Sequence, residues 1–403
     1  MSNAPEKLAI HGGEKLRKTP MPPRLAFGPA ERQALMEAAE YYAGRDEDPP
    51  YQGRYEEEFC RRFAAYQGGG HADAVSSGTA SVFVALAALD LPKGSEVVIS
   101  PVTDSGPLNC IIMLGLTPVV ADSAPDDYNM GLEQLASRFT PRTSGVLAVH
   151  SAGQPLAIDA MVEAAHARGI KVLEDCSQAP GADWNGRKVG SWGDIAAFST
   201  MYRKTLTAGA SGGLVYSPTE ELYRTALAHA DRGKPAWRKD LDLRDPGHAL
   251  FPALNFNTDE LSCAIGIASL ARLDESVAAR RAFLARLCEE LPKASRVCRP
   301  SHLDPGCSPF YFPVMVDVDA ISCTKTEFAR AVAAEGIGLG EHYGCLVSSW
   351  SFAKGHLSDG FDTPNALSMR DRSFNLYVNE RYGEQEVRDV VAAIAKVEAW
   401  YRR

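Results

Sequence analysis

The chain has 403 residues, enough for roughly two to three domains. Its hydrophobic share of 45% and its mixed charges are those of a soluble globular protein. A formal net charge of −9 with no basic block gives no footing for nucleic acid or an anionic membrane, and no apolar run reaches the length of a membrane span.

Residues 1–30 are rich in Pro, Lys and Gly and read as an extended N-terminal arm. The arm lacks the apolar core of a signal peptide, so the expected location is the cytoplasm. The nine cysteines are scattered and never in CxxC spacing. Reduced thiols explain them better than disulfides, and no metal site is expected. Apolar residues recur at helical spacing over 29–42 and, after the loop 51–53, over 55–66.

From residue 71 short apolar runs alternate with helical stretches. Strands are predicted at 71–75, 96–100, 117–121, 146–150 and 170–175. SSGTAS (76–81) reads as a turn before a helix over 82–89, and a further helix covers 159–168. This rhythm argues for an α/β protein with a mostly parallel sheet covered on both faces. Strands follow at 195–198 and 214–216. The polar, Pro-broken stretch 231–250 reads as a substrate-covering loop or as an ordinary surface loop. A loop at 254–257 leads into a long helix, and another helix runs to about residue 291. A smaller C-terminal α+β unit then holds a strand at 311–318, a helix at 325–335, the loop GEHYG (340–344) and a last amphipathic helix at 384–401. The expected division is the arm at 1–30, a large domain at 31–270 and a small domain at 271–403.

Residues 172–213 carry the chemistry. An apolar run ends in Glu174 and Asp175, and an acid at the end of a buried strand faces the crevice where open α/β sheets bind ligands. Lys204 comes five residues after Ser199 and is followed by small residues up to Gly213, which let a planar ligand approach closely. A lysine for a Schiff base and an acid that keeps a pyridine nitrogen protonated suit pyridoxal phosphate (PLP). The segment 76–79, between a strand and a helix, either holds a phosphate at the helix N-terminus or merely caps the helix. Cys176 reads as a small buried strand-end residue.

The order and spacing of six pieces resemble the DegT/DnrJ/EryC1/StrS family of sugar aminotransferases over nearly the whole chain. The pieces are AVSSGTAS (74–81), VHSAGQP (149–155), EDCSQAPGA (174–182), NGRKVGSWGDIAAFS (185–199), Lys204 and LNFNTDELSCAIG (254–266). The resemblance implies the fold-type I PLP-dependent transferase architecture, with a large α/β/α domain and a smaller C-terminal α+β domain. It implies that Lys204 forms the internal aldimine and that Asp175 pairs with the ring nitrogen. Gln178 then lies near the phenolic oxygen, and Ser199 contacts the phosphate opposite Gly78 and Thr79. Family active sites form between the subunits of a homodimer, so Asn255 reaches the phosphate of the neighbouring subunit's cofactor. His342 and Tyr343 face the substrate.

The implied reaction has two stages. Glutamate or glutamine converts PLP to pyridoxamine phosphate, and a ketosugar or sugar aldehyde accepts the amine, in amino-sugar biosynthesis for lipopolysaccharide or a natural product. Lys204 moves the proton between the donor's Cα and the cofactor. Sugar dehydratases of the family, which use pyridoxamine phosphate, carry His where this chain has Lys204. A non-catalytic PLP-binding regulator is the other reading, and it would show no half-reaction with any donor.

Three departures bear on the substrate. Many relatives stack an aromatic residue on the ring where this chain has Ser105, preceded by Asp104. Both are candidates for substrate contact. The TDSG element (103–106) resembles a minority branch that includes the 8-amino-3,8-dideoxy-octulosonate aminotransferases. The family's GEGG reads GASGG, and Asn257 replaces a common Arg. The acceptor is thus a nucleotide-linked ketosugar, an inosose or an octulosonate aldehyde. Arg54, Arg232, Lys234 and Arg238 either anchor a diphosphate or carboxylate or are surface charges.

Overall fold

Seven short strands with almost wholly buried residues build the main sheet of the computed structural model, which describes residues 6–403. The first five residues of the arm lie outside the described range. Helices α1 (Pro29–Ala43) and α2 (Arg54–Tyr66) precede β1 (His71–Val75). Then α3 (Gly78–Ala88), β2 (Glu96–Ile99), α4 (Ser105–Met113), β3 (Thr117–Val120), α5 (Leu132–Ala136), β4 (Thr143–Val149), α6 (Ile158–His166) and β5 (Lys171–Asp175) alternate. A hairpin of β6 (Asp183–Trp184) and β7 (Arg187–Lys188) leads to β8 (Ile195–Ser199) and β9 (Gly213–Ser217). Helices α7 (Glu220–Ala230), α8 (Glu260–Ala271) and α9 (Leu273–Ala294) follow. The C-terminal part holds β10 (Cys298–Pro300), β11 (Tyr311–Val316), α10 (Lys325–Ala334), β12 (Leu339–Gly340), α11 (Pro364–Asp371), β13 (Ser373–Tyr377) and α12 (Glu384–Tyr401).

The main sheet runs β1-β9-β8-β5-β4-β2-β3. Strands β8, β5, β4, β2 and β3 are mutually parallel, and β9 is antiparallel to both its neighbours. Strand alternation sorts the side chains to two cores. Val97, Ile99, Leu147, Leu173 and Ile195 pack toward α3 and α4, whereas Val98, Val146 and Val172 pack toward α6. Both faces are therefore covered, as continuous apolar strands require. A four-stranded antiparallel sheet, β10-β11-β13-β12, forms a second core with α9, α10 and α12.

The structure differs from the sequence reading at several boundaries. The helix expected at 82 begins at Gly78. Ser77 caps it by accepting the Ala80 N–H at 3.0 Å, and burial of Ala80, Ser81 and Val82 overrides the weak helix propensity of Gly, Ser and Thr. The strand expected to reach 318 stops at Val316, because the Asp317 side chain accepts the Asp319 N–H and starts a 3-10 turn. The hairpin and β10, β12, β13 and α5 are two to five residues long, too short to carry a period. The described part of the arm is docked rather than free. Leu8 is fully buried in the second core, and Glu335 accepts the backbone N–H groups of Ala9 and Leu16 at 2.8 and 3.0 Å.

One buried acid joins three helices, α1, α2 and α8. Glu260, 1% exposed, accepts the N–H groups of Tyr55 and Glu56 at 2.9 and 2.8 Å, and the Tyr42 hydroxyl donates to it. It thus caps α2 from α8 and anchors α1. Glu260→Ala leaves those donors unpaired, and such losses amount to about 3 kcal/mol. The urea midpoint should fall accordingly, and a midpoint equal to that of the wild type would remove this role.

Candidate active site

Strands β5 and β8 are parallel neighbours, with Asp175 paired to Ala197. Their carboxyl ends therefore deliver Asp175 and Ser199 to one edge of the sheet, where α3 begins. A cleft of about 370 Å³ opens there, and its walls include Ser77, Gly78, Thr79, Asp175, Gln178, Ser199, Lys204 and Tyr343. A Cβ on Gly78 would stand 2.5 Å from the Ser199 Cβ, so only glycine allows the hydroxyl this close to the helix start. The first N–H groups of α3, at Gly78 and Thr79, have no acceptor within the helix and sit at the positive end of its dipole. Together with the Ser199 hydroxyl they make a cradle for a phosphate.

Asp175 is 3% exposed, and its Oδ1 accepts the Ser177 N–H at 2.9 Å. Burial pushes its carboxyl above the usual range, while Ser177, Lys204 and His150 pull it back. A buried acid open to a cleft favours a cation there. Lys204 is half-buried, and its Nζ sits 4.4 Å from the centroid of the Phe310 ring. Its amine makes no hydrogen bond or ion pair among the described residues. Burial lowers its pKa, against the opposing pull of Asp175 and Asp104. The lysine loop is held from outside the sheet. Arg24 of the arm donates to the Lys204 carbonyl, and Arg280 of α9 donates to Thr205 Oγ1 at 3.0 Å and to the Pro309 carbonyl at 2.9 Å. Burial pushes the Arg24 guanidinium down to about 10.

Gln178 has both ends of its amide engaged. Its Oε1 accepts the Ala152 N–H at 2.8 Å, and its Nε2 donates to the Tyr343 hydroxyl at 3.0 Å. Tyr343→Phe removes the second anchor. It should retain the cofactor but lower turnover about 3- to 10-fold, the worth of one such bond. Turnover equal to that of the wild type would show that the amide needs no such support.

Behind Asp175 lies a support the sequence reading missed. Alternation puts Glu174 on the opposite face of β5, fully buried. It accepts the N–H groups of Gly190, Trp192 and Gly193 at 2.7, 2.8 and 2.7 Å, and its Oε2 lies 3.1 Å from His150 Nε2. His150 Nδ1 accepts the Leu156 N–H, so its proton sits on Nε2, facing Glu174. His150, Glu174 and Cys176 bring potential metal ligands within 4.8 Å of one another, but these hydrogen bonds already use the ring nitrogens and the carboxylate. Cys176 is fully buried, and burial holds its thiol neutral. The adjacent acids at one strand end were the available signal.

The cleft gathers Gly78, Thr79, Asp104, Asp175, Gln178, Ser199, Lys204 and Tyr343. Ser105, Asn255 and His342 do not line it within one chain. Asn255 and His342 are exposed, and Ser105 is the first residue of α4, which Asp104 caps. The basic candidates lie elsewhere. Arg232 and Lys234 face Asp231, Arg238 pairs with Asp240 at 2.7 Å, and Arg54 lies over Tyr41. Arg203, Phe310 and Pro107 line the cleft instead, and the sequence reading did not single them out. No helix among the described residues is long and apolar enough to cross a membrane.

The donor set fits PLP. A lysine without a polar partner, a buried acid for the ring nitrogen and a glycine-tight helix start for the phosphate converge on one cleft. The model of the DegT/DnrJ/EryC1/StrS aminotransferase family matches residues 38–395. The spore coat polysaccharide biosynthesis protein SpsC of Bacillus subtilis is 31% identical over 353 residues, covering 85% of this chain and 89% of that protein. GDP-perosamine synthase of Caulobacter vibrioides is 32% identical over 289 residues, covering 71% and 75%. An aminotransferase from Psychrobacter cryohalolentis superposes with a TM-score of 0.85 at 26% identity, over 93% of this chain and 98% of that one. The chain belongs to the DegT/DnrJ/EryC1/StrS aminotransferase family and is a PLP-dependent aminotransferase of fold type I.

Proposed function

We propose that this aminotransferase makes an amino sugar, moving an amino group from glutamate or glutamine to a ketosugar or sugar aldehyde. The convergence of Lys204, Asp175 and the α3 N-terminus on one cleft carries the reading. The relatives, a spore coat polysaccharide biosynthesis protein and a GDP-perosamine synthase, favour a nucleotide-linked ketosugar as acceptor and a surface polysaccharide as destination.

Bound in the cleft, PLP would supply an aldehyde for the donor's amine and a protonated ring as electron sink. Asp175 keeps the ring nitrogen protonated by remaining ionised beside it. Lys204, whose pKa burial lowers, would move the proton at the donor's Cα. Gln178, pinned by Ala152 and Tyr343, directs its amide toward the ring's phenolic oxygen. Ser199, Gly78 and Thr79 hold the phosphate. Asn255, exposed and outside its own cleft, serves the site of a second copy in a homodimer. Asp104 and Tyr343 meet the substrate in the cleft, and Ser105 and His342 meet parts of the sugar that extend beyond it. The working divisions are the arm at 1–30, the large domain at 31–270 and the small domain at 271–403, acting in the cytoplasm.

The test is the visible absorbance of the purified holoenzyme, before and after L-glutamate or L-glutamine and then with nucleotide-linked ketosugars. Discharge of the cofactor band by a donor and its return with an acceptor support the reading. A band that no donor discharges would favour a PLP-holding regulator.

A further inference from the structure

Two acids and two bases line the cleft: Asp104, Asp175, Arg203 and Lys204. Asp175 is buried beneath it, and Lys204 must lose its charge to react. Among the described residues of one chain, Arg203 is therefore the only permanent cation in the walls. It is exposed, and among the described residues its guanidinium has no hydrogen bond and no ion pair. Its backbone N–H donates to Met201 Sδ at 3.0 Å, and its guanidinium stands 5.4 Å from the Tyr202 ring centroid. The other nearby arginines do not line the cleft. Arg280 pairs with Glu380 at 2.7 Å, and Arg24 gives one Nη2 donor to the Lys204 carbonyl while its Nε and Nη1 stay buried without a partner.

An amino acid donor carries its α-carboxylate on the same carbon as the amine it gives up. When that amine reaches the position of the Lys204 Nζ, the carboxylate lies within two bonds of it. It needs a cation there, and the exposed Asp104 carboxylate in the same cleft repels it. The planar guanidinium fork matches a carboxylate in two parallel hydrogen bonds. We infer that Arg203 binds the α-carboxylate of the amino donor and so determines that α-amino acids are the donors. This rests on the aminotransferase reading above, with an amino acid as donor.

The experiment compares holoenzymes of the wild type, Arg203→Met and Arg203→Lys. The probe is 2-methyl-L-glutamate, which has no hydrogen on Cα and therefore binds without turnover. Its dissociation constant is read from the shift of the visible band, and cofactor content is measured alongside. Arg203→Met should bind it about 10- to 100-fold more weakly with full cofactor content, and Arg203→Lys should recover part of the loss. Equal affinity in wild type and Arg203→Met would overturn the assignment alone. Loss of cofactor from Arg203→Met would also overturn it, since the residue would then be holding the lysine loop. A wild-type holoenzyme that responds to no α-amino acid would overturn the donor reading itself, and the assignment with it.

Discussion

Lys204→Ala should lower turnover by roughly 10⁴-fold or more, because it removes both the covalent anchor and the proton carrier. The purified variant should lack the visible cofactor band even with PLP added. It should nonetheless fold, since the amine makes no hydrogen bond or ion pair among the described residues whose loss would destabilise the chain. The lysine also has a pH signature. Burial lowers its pKa, and only the neutral amine can attack the cofactor's aldehyde. Capture of PLP by the apoprotein should thus accelerate as pH rises and level off below the ordinary lysine range. Stopped-flow absorbance across pH measures this. A variant that still shows the band, or a wild-type rate that climbs only near the ordinary lysine pKa, would remove Lys204 from the centre of the site.

Asp175→Asn should lower turnover about 10²- to 10³-fold at nearly constant shape, the loss typical when a preorganised electrostatic partner is removed. Stability of the apoprotein should move the other way. Burial raises the folded-state pKa of Asp175 above its unfolded value, so the native state holds that proton more tightly. Stability is therefore lost as pH rises from the ordinary carboxylate value through the raised one. Asparagine has no such loss, so the apo variant should melt above the apo wild type at pH 7 and near it in acid. PLP should then stabilise the wild type more than the variant, because only the ionised acid offers the ring nitrogen a counter-charge. Thermal melts of apo and holo forms at two pH values decide this. Near-normal turnover, or an apo variant that melts below the wild type at neutral pH, would sink the assignment.

The core of the site was legible because its signals are local. Short apolar runs ending in an acid or a serine, set in a βαβ rhythm, read as buried strands whose ends face the crevice, and β5 and β8 have that form. Lys204 among small residues, and glycine with hydroxyl residues after β1, are likewise short-range patterns. The α3 start was misplaced because that helix is buried on most sides and has no polar face to mark its first turn.

The residues themselves thus determined the parallel sheet, the lysine and acid at its edge and the glycine-hydroxyl turn before α3, since each depends on neighbours within a few positions. Only the tertiary structure decided what surrounds them. Phe310 reaches the Lys204 amine from over a hundred positions away, Tyr343 pins Gln178, and Arg24 and Arg280 clamp the lysine loop from the arm and α9. It also turned Arg232, Lys234 and Arg238 toward nearby acids and left Arg203 alone in the cleft. Side-chain partners so distant along the chain leave no periodicity or spacing to read, and only the packed fold selects among them.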